Sequence, residues 1–102
     1  MTPGRFIVVV ENLSKAEADA LTAYVDRQEH WAYWHWIEGF WLILRWDNPT
    51  AKEFWNAIAQ AMPSLESKTM LVMRVDDPVT YWGRADKAAW DWLKISQIGE
   101  PR

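Results

Sequence analysis

The residues from Trp31 to Trp46 are apolar on both faces of the β-hairpin they would form, whereas a sheet with one face in water has only one such face. Five of the chain's nine tryptophans lie in this stretch, WAYWHWIEGFWLILRW. A strand packed on one side against helices alternates apolar and polar residues. Here only His35, Glu38 and Arg45 supply polar side chains between the rings and aliphatics. Those three interruptions also rule out a membrane span. The second face of the hairpin therefore requires a cover, and the nature of that cover is the functional question.

The rest of the chain supplies the frame. Arg5 to Glu11 is a β-branched run that reads as the first strand. Ser14-Lys15-Ala16-Glu17 is a capping box, and the helix it opens is expected to run to about Gln28, burying Ala20, Leu21, Tyr24 and Val25. Strands follow from His30 to Ile37 and from Phe40 to Trp46, joined at Glu38-Gly39, where glycine permits positive φ. Asn48-Pro49 is expected to open the second helix with proline at its first position, with Thr50-Ala51-Lys52-Glu53 as a capping box one or two residues later. Ala51, Phe54, Trp55, Ile58, Ala61 and Met62 recur at the spacing of a buried helical face until Pro63. Lys68 to Val75 is the fourth strand.

The order β-α-β-β-α-β predicts an α+β ferredoxin-like sandwich, with two helices on one face of a four-stranded antiparallel sheet. Residues 1–78 form this domain, and residues 79–102 a Trp-rich extension packed on it, with a third helix around Ala85, Ala88, Ala89, Trp92 and Leu93.

With Glu38-Gly39 as a two-residue turn, Trp36 pairs with Trp41, Trp34 with Ile43, and Ala32 with Arg45. These six share one face. Trp31, Tyr33, His35, Ile37, Phe40, Leu42, Leu44 and Trp46 share the other, and this larger set is expected to meet the helices. The open face then carries Trp34, Trp36, Trp41, Ile43 and Arg45. Three tryptophans at ~150–250 Å² each amount to roughly 450–750 Å². A monomer's largest apolar patch is about 300–600 Å². Three covers are available: the tail, with Trp82, Trp90 or Trp92 over the sheet; a second copy docked sheet to sheet as a twofold homodimer; or a foreign partner.

Composition narrows the chemistry. With 102 residues the chain holds one domain and little volume for a deep active site. A formal charge of −3 argues against binding a nucleic-acid polymer by phosphate neutralisation. The absence of cysteine excludes disulfides, thiol catalysis and thiolate metal sites, and suits a cytoplasmic location. The apolar run Phe6–Val10 is too short for a signal peptide, and no membrane association is expected. His30 and His35, the two histidines, are five apart in one strand and point to opposite faces, so they do not share a metal. The four glycines are isolated and build no phosphate loop. No cofactor is implied, and no catalytic residue is assigned.

Val8-Val9-Val10-Glu11-Asn12-Leu13 is similar to the first signature of the RNA-recognition motif family, and Gly39-Phe40 to the start of its second. In that family exposed aromatics on these strands stack bases. Here Val9 stands at the stacking position, Glu38 where a basic residue is expected, and Trp41 at a normally small position. The resemblance implies shared architecture without shared function. The chain is also similar in size and strand order to small dimeric α/β-barrel proteins, among them monooxygenases and isomerases.

Aromatic surface without catalytic chemistry predicts a non-catalytic binding protein. The expected ligand is small, planar and anionic, such as a nucleotide. It would be held by Tyr81, Trp82 and Arg84 with Trp34, Trp36, Trp41 and Arg45 near a dimer seam. Short, motif-free, tryptophan-rich domains are common among phage and mobile-element proteins that inhibit host defence, and sequestering a nucleotide signal is one such role. Two alternatives are an inhibitor or adaptor that blocks a host protein by contact, and a small barrel-type enzyme using His35 with Glu38.

Overall fold

The computed structural model describes residues 3–75, 80–81, 84, 86–95 and 100–101. Strand β1 spans Gly4–Val10, helix α1 Lys15–Asp26, β2 Trp31–Ile37, β3 Phe40–Arg45 and helix α2 Ala51–Ala61. A 3-10 turn at Pro63–Ser67 leads into β4, Met70–Arg74. Beyond it lie the two-residue strands β5 (Thr80–Tyr81) and β6 (Glu100–Pro101) and, between them, helix α3 (Lys87–Ile95). The main sheet is antiparallel in the order β2-β3-β1-β4, which is the ferredoxin-like topology the element order predicted. The parallel β5–β6 pair was not legible in the sequence.

Both helix starts are fixed by reciprocal capping. Ser14 Oγ accepts from the Glu17 amide at 3.1 Å while Glu17 Oε1 accepts from the Ser14 amide at 3.0 Å. Thr50 and Glu53 repeat the arrangement at 3.1 and 2.9 Å. Removing such a cap costs about 1 kcal/mol. The second box corrects the expectation that Pro49 begins α2. Asn48 instead takes a left-handed turn at φ 57°, which asparagine tolerates, and Thr50 becomes the cap. The helix faces are narrower than their apolar spacing suggested. Leu21 and Val25 of α1 and Phe54 and Ile58 of α2 are buried, whereas Ala20, Trp55 and Ala61 are exposed.

The hairpin departs from the regular pairing read from its turn. Ile37 pairs with Phe40 across Glu38-Gly39, as expected, but Trp34 pairs with Leu42 rather than Ile43. Two residues, His35 and Trp36, thus face the single Trp41, and the strand carries a β-bulge. A one-residue shift turns every later side chain to the opposite face of its partner strand. Odd-numbered residues of β2 consequently pair with odd-numbered residues of β3: Trp31 with Arg45 and Tyr33 with Ile43. Trp41 and Ile43 are completely buried beneath the helices with Phe6, Val8, Phe54 and Ile58. Trp31 and Tyr33 pack against the same cluster, as expected for their strand. The assignment of Trp41, Ile43 and Arg45 to the open face is therefore corrected, as is that of Ile37, Phe40, Leu42 and Leu44 to the helix face.

The opposite face is covered in part by α3. Trp34 and Leu44 are buried with Ala89 of that helix, and Ala32, Phe40, Leu42 and Trp92 pack around them. The indole Nε1 of Trp34 donates to the Ala89 carbonyl at 3.1 Å, so the helix is tied to β2 by a buried hydrogen bond as well as by packing. Ala89 is wholly buried, and its small side chain lets the helix backbone come this close to the indole.

Gly39 closes the hairpin at φ 72°, and a Cβ placed there would sit 2.5 Å from the Val10 carbonyl oxygen. The Val10 N–H donates to Gly39 O at 2.9 Å, so the turn is locked onto β1. Gly39→Ala is expected to destabilise the protein by about 2 kcal/mol or more, the sum of a left-handed alanine and a backbone clash. Urea denaturation checks this, and a loss below about 0.5 kcal/mol would show that the turn relaxes freely.

Candidate protein-docking surface

The sheet pairing draws an apolar row across the second face, touching the α3 cluster at Phe40 and open on either side of it. Ile37 of β2 pairs with Phe40 of β3, Phe40 with Val9 of β1, and Val9 with Leu71 of β4. Met73 lies beside this row, opposite Ile7. Ile37 is 56% exposed, Leu71 52%, Met73 47% and Val9 38%. The row runs from one sheet edge to the other without a charged side chain. Trp36, 48% exposed, is one of the two bulge residues at its β2 end. Bulges redirect side chains, and here the extra residue leaves the indole of Trp36 in solvent while His35 stays with the core.

One end of this surface is acidic. A shallow cleft of about 360 Å³ lies between the β2–β3 turn and the exit of β1, lined by Val10, Glu11, Asn12, Leu13, Glu38 and Gly39. Glu11 and Glu38 are both exposed. Asn12 has φ 53° and its carbonyl accepts from Lys68 Nζ at 2.6 Å, which holds the loop against the start of β4. The ammonium also lies 3.6 Å from Glu17 Oε1, so its charge is turned toward α1. An apolar strip ending in carboxylates resembles the core and rim of a protein interface more than a ligand cavity.

The residues singled out from sequence separate in the fold. Trp41 is fully buried on the helix side, its Nε1 donating to Thr22 Oγ1 at 3.1 Å. Trp34 is buried under α3. Trp36 and Arg84 are exposed. Trp82 lies outside the described residues, as do the side chains of Tyr81 and Trp90. The structure thus brings no described pair of these tryptophans together on an open face. The surface residues that sequence reading missed are Val9, Ile37, Leu71 and Met73. The alternation of Leu71 and Met73 with the buried Val72 was the available signal, but it needed the phase of β4 to be known.

Arg45 is a core residue. Its guanidinium carbon lies 4.1 Å from the ring centre of Trp31 and 4.6 Å from that of Phe54, between two aromatic faces. Its Nε donates to Asp47 Oδ1 at 2.9 Å, and Nη2 donates to Oδ2 of the same carboxylate. This fork-to-fork pair neutralises a cation that burial would otherwise penalise. His35 is equally committed. Its ring stacks on Trp41 with centroids 4.2 Å apart and planes 6° from parallel, and Nδ1 lies 2.8 Å from the Phe40 carbonyl, to which it donates. Among the described residues no group of three or more His, Asp or Glu side chains is placed to hold a metal ion. No helix there is long and apolar enough to cross a membrane. Compared with family models, curated proteins and solved structures, the chain gives no significant match in any of the three.

The Arg45–Asp47 pair generates a pH dependence. Hydrogen bonding to Arg45 holds the Asp47 carboxyl below its ordinary value, with partial desolvation opposing and the guanidinium charge assisting. A depressed carboxyl stabilises the fold only when ionised. Its contribution is complete above the unfolded value near about 4 and is lost as pH falls through the lower folded value. Asp47→Asn should therefore cost up to about 1 kcal/mol at neutral pH, a modest figure because Asp47 is more than half exposed. The gap between wild type and variant should close as the pH is taken below the ordinary carboxylate range. Denaturation curves across that range check this, and a gap that is independent of pH would assign the effect to packing.

Proposed function

We propose that this is a non-catalytic binding protein, an inhibitor or adaptor that docks on another protein through the apolar strip of its sheet. The observation that supports this reading is the uncharged row Ile37–Phe40–Val9–Leu71, in which Ile37, Val9 and Leu71 are exposed around a partly buried Phe40, with exposed Met73 and Trp36 beside it. Its acidic end at Glu11 and Glu38 favours a partner with an apolar ridge and a basic rim. Tryptophan at the margin of such a strip is the residue type that most often dominates binding energy. The nucleotide-sequestering reading draws less support. Of its residues Trp34, Trp41 and Arg45 are buried, which leaves Trp36 and Arg84 as the exposed described members. An enzyme acting through His35 gains no support from a ring stacked on Trp41 and bonded to a backbone carbonyl. A role against host defence, of the kind phage inhibitors perform, is compatible with docking by contact.

Trp36 and Ile37 are about half exposed, so replacing them should leave the fold intact while removing the hot spot. The double variant Trp36→Ala/Ile37→Ser is expected to keep the wild-type circular dichroism and to weaken partner binding by about 2 kcal/mol or more, roughly thirtyfold. The measurement is a quantitative capture from host lysate with both proteins, followed by titration of whatever the wild type alone retains. If every captured protein binds the variant equally, the docking reading fails. A change in tryptophan fluorescence on adding nucleotides, abolished by Arg84→Ala, would replace it with the sequestration reading.

A further inference from the structure

Strand β4 ends the sheet, and the hydrogen-bond register fixes which of its backbone groups face outward. The Val75 amide donates to Arg5 O at 2.7 Å and the Glu11 amide to Thr69 O at 3.1 Å. In an antiparallel ladder such bonded pairs alternate with unbonded ones. Odd-numbered residues of β4 therefore bond to β1, while Met70, Val72 and Arg74, opposite Val10, Val8 and Phe6, point their amides and carbonyls away from it. Among the described residues no strand pairs with that outer edge.

The two edges of this sheet are treated differently. The β2 edge carries the bulge at His35 and Trp36, and α3 packs against that strand. Bulges and covering helices are the usual means by which an edge is made unfit for pairing. The β4 edge has no bulge, and the helix that packs against this strand, α2, lies on its inner face and leaves the edge itself open among the described residues. It is regular along its whole length, has no proline, and carries Arg74 as its one charge. That guanidinium is turned onto the chain itself, donating to Asn48 Oδ1 at 2.5 Å and the Pro49 carbonyl at 3.3 Å.

We infer that the β4 edge pairs with the β4 edge of a second copy of this chain, antiparallel, about a twofold axis at Val72. This goes beyond the docking reading and stands without it. The outward groups centre on Val72, so a twofold there pairs Val72 with Val72 of the partner subunit and Met70 with the partner's Arg74, using every outward amide and carbonyl of the strand. The register is electrically self-compatible, because Arg74 meets Met70 and no like charges stand opposite each other. Leu71 falls opposite the partner's Met73 in an unbonded pair, the closer kind, so two half-exposed apolar side chains shield one another on each side of the axis. The two apolar strips then join into one symmetric surface on an eight-stranded sheet.

Sedimentation equilibrium of the full chain over a wide concentration range, combined with amide exchange by NMR, tests the inference. The expected result is a dimer in which the Val72 amide is protected about as strongly as those of Leu71 and Met73, and loses that protection on dilution. The variant Leu71→Lys/Met73→Lys sets lysines opposite lysines at the seam while altering only exposed positions. It should keep the wild-type circular dichroism and raise the dissociation constant at least about tenfold. A chain that stays monomeric at every concentration overturns the inference. So does a dimer in which Val72 exchanges freely while Leu71 and Met73 do not, which would mean that the copies meet sheet to sheet. Loss of edge pairing leaves Trp36 and Ile37 in place, so its failure is distinguishable from failure of the docking reading.

Discussion

The bulge at His35 and Trp36 is the constraint on which the rest of the sheet depends. A regular hairpin through Glu38-Gly39 would set Trp31 and Tyr33 on one side and Trp41 and Ile43 on the other. No arrangement of two helices could then bury all four. By assigning two residues of β2 to one of β3, the chain brings these four side chains to the helix face together. The same extra residue gives Trp41 a stacking partner in His35, whose Nδ1 in turn satisfies the Phe40 carbonyl. Among the described residues Trp41 is the largest fully buried side chain, and truncating an aromatic of that kind removes about 3–5 kcal/mol. A local irregularity of one residue thus decides the composition of the main core.

Arg45 shows how an aromatic-rich core accommodates a charge. Phe54 packs edge-on against Phe6 and Trp31, each at 5.2 Å, and the guanidinium lies over the Trp31 and Phe54 rings. A desolvated cation over an aromatic face contributes about 2 kcal/mol. That attraction works here because Asp47 sits two residues on, at the solvent margin, and closes the fork. The residue types that suggest a stacking site for a ligand are therefore used internally, with an indole above the guanidinium where a nucleobase was expected.

Much of the architecture was legible because it rests on local chemistry. Ser14–Glu17 and Thr50–Glu53 announce helix starts by reciprocal hydrogen bonds within four residues, and the alternation of long apolar runs with these boxes fixes the element order. The hairpin faces were not legible. Both faces are apolar, so alternation carries no phase, and the turn residues alone imply a regular register. A bulge leaves no mark in such a sequence, since His35 and Trp36 are as compatible with either side. The helix α3 was visible from its alanines and tryptophans, but its docking on Trp34 depends on an indole donor meeting a helix carbonyl, a contact between residues far apart in the chain. The candidate surface was missed for the same reason as the faces. Val9 and Leu71 belong to strands whose outward side could not be named until their pairing was known.

What the fold requires of β4 is narrower than what the chain supplies. Val72 is buried, and Met70 packs against the same core, so apolar residues at those two positions follow from stability alone. Leu71 and Met73 point the other way, away from α1 and α2, and are half in water. Threonine or a charged residue there would keep the strand, the pairing with β1 and the core unchanged, and would lower the risk of association that an exposed apolar edge carries. The same holds for Ile37, whose pairing with Phe40 needs only its backbone. Apolar side chains stand at three positions where folding does not ask for them, aligned in neighbouring rows of one sheet face, and this is what supports the proposed docking reading. The acidic residues at the end of that face sharpen the point. Glu11 and Glu38 form no ion pair among the described residues, and they lie at the end of the proposed docking strip.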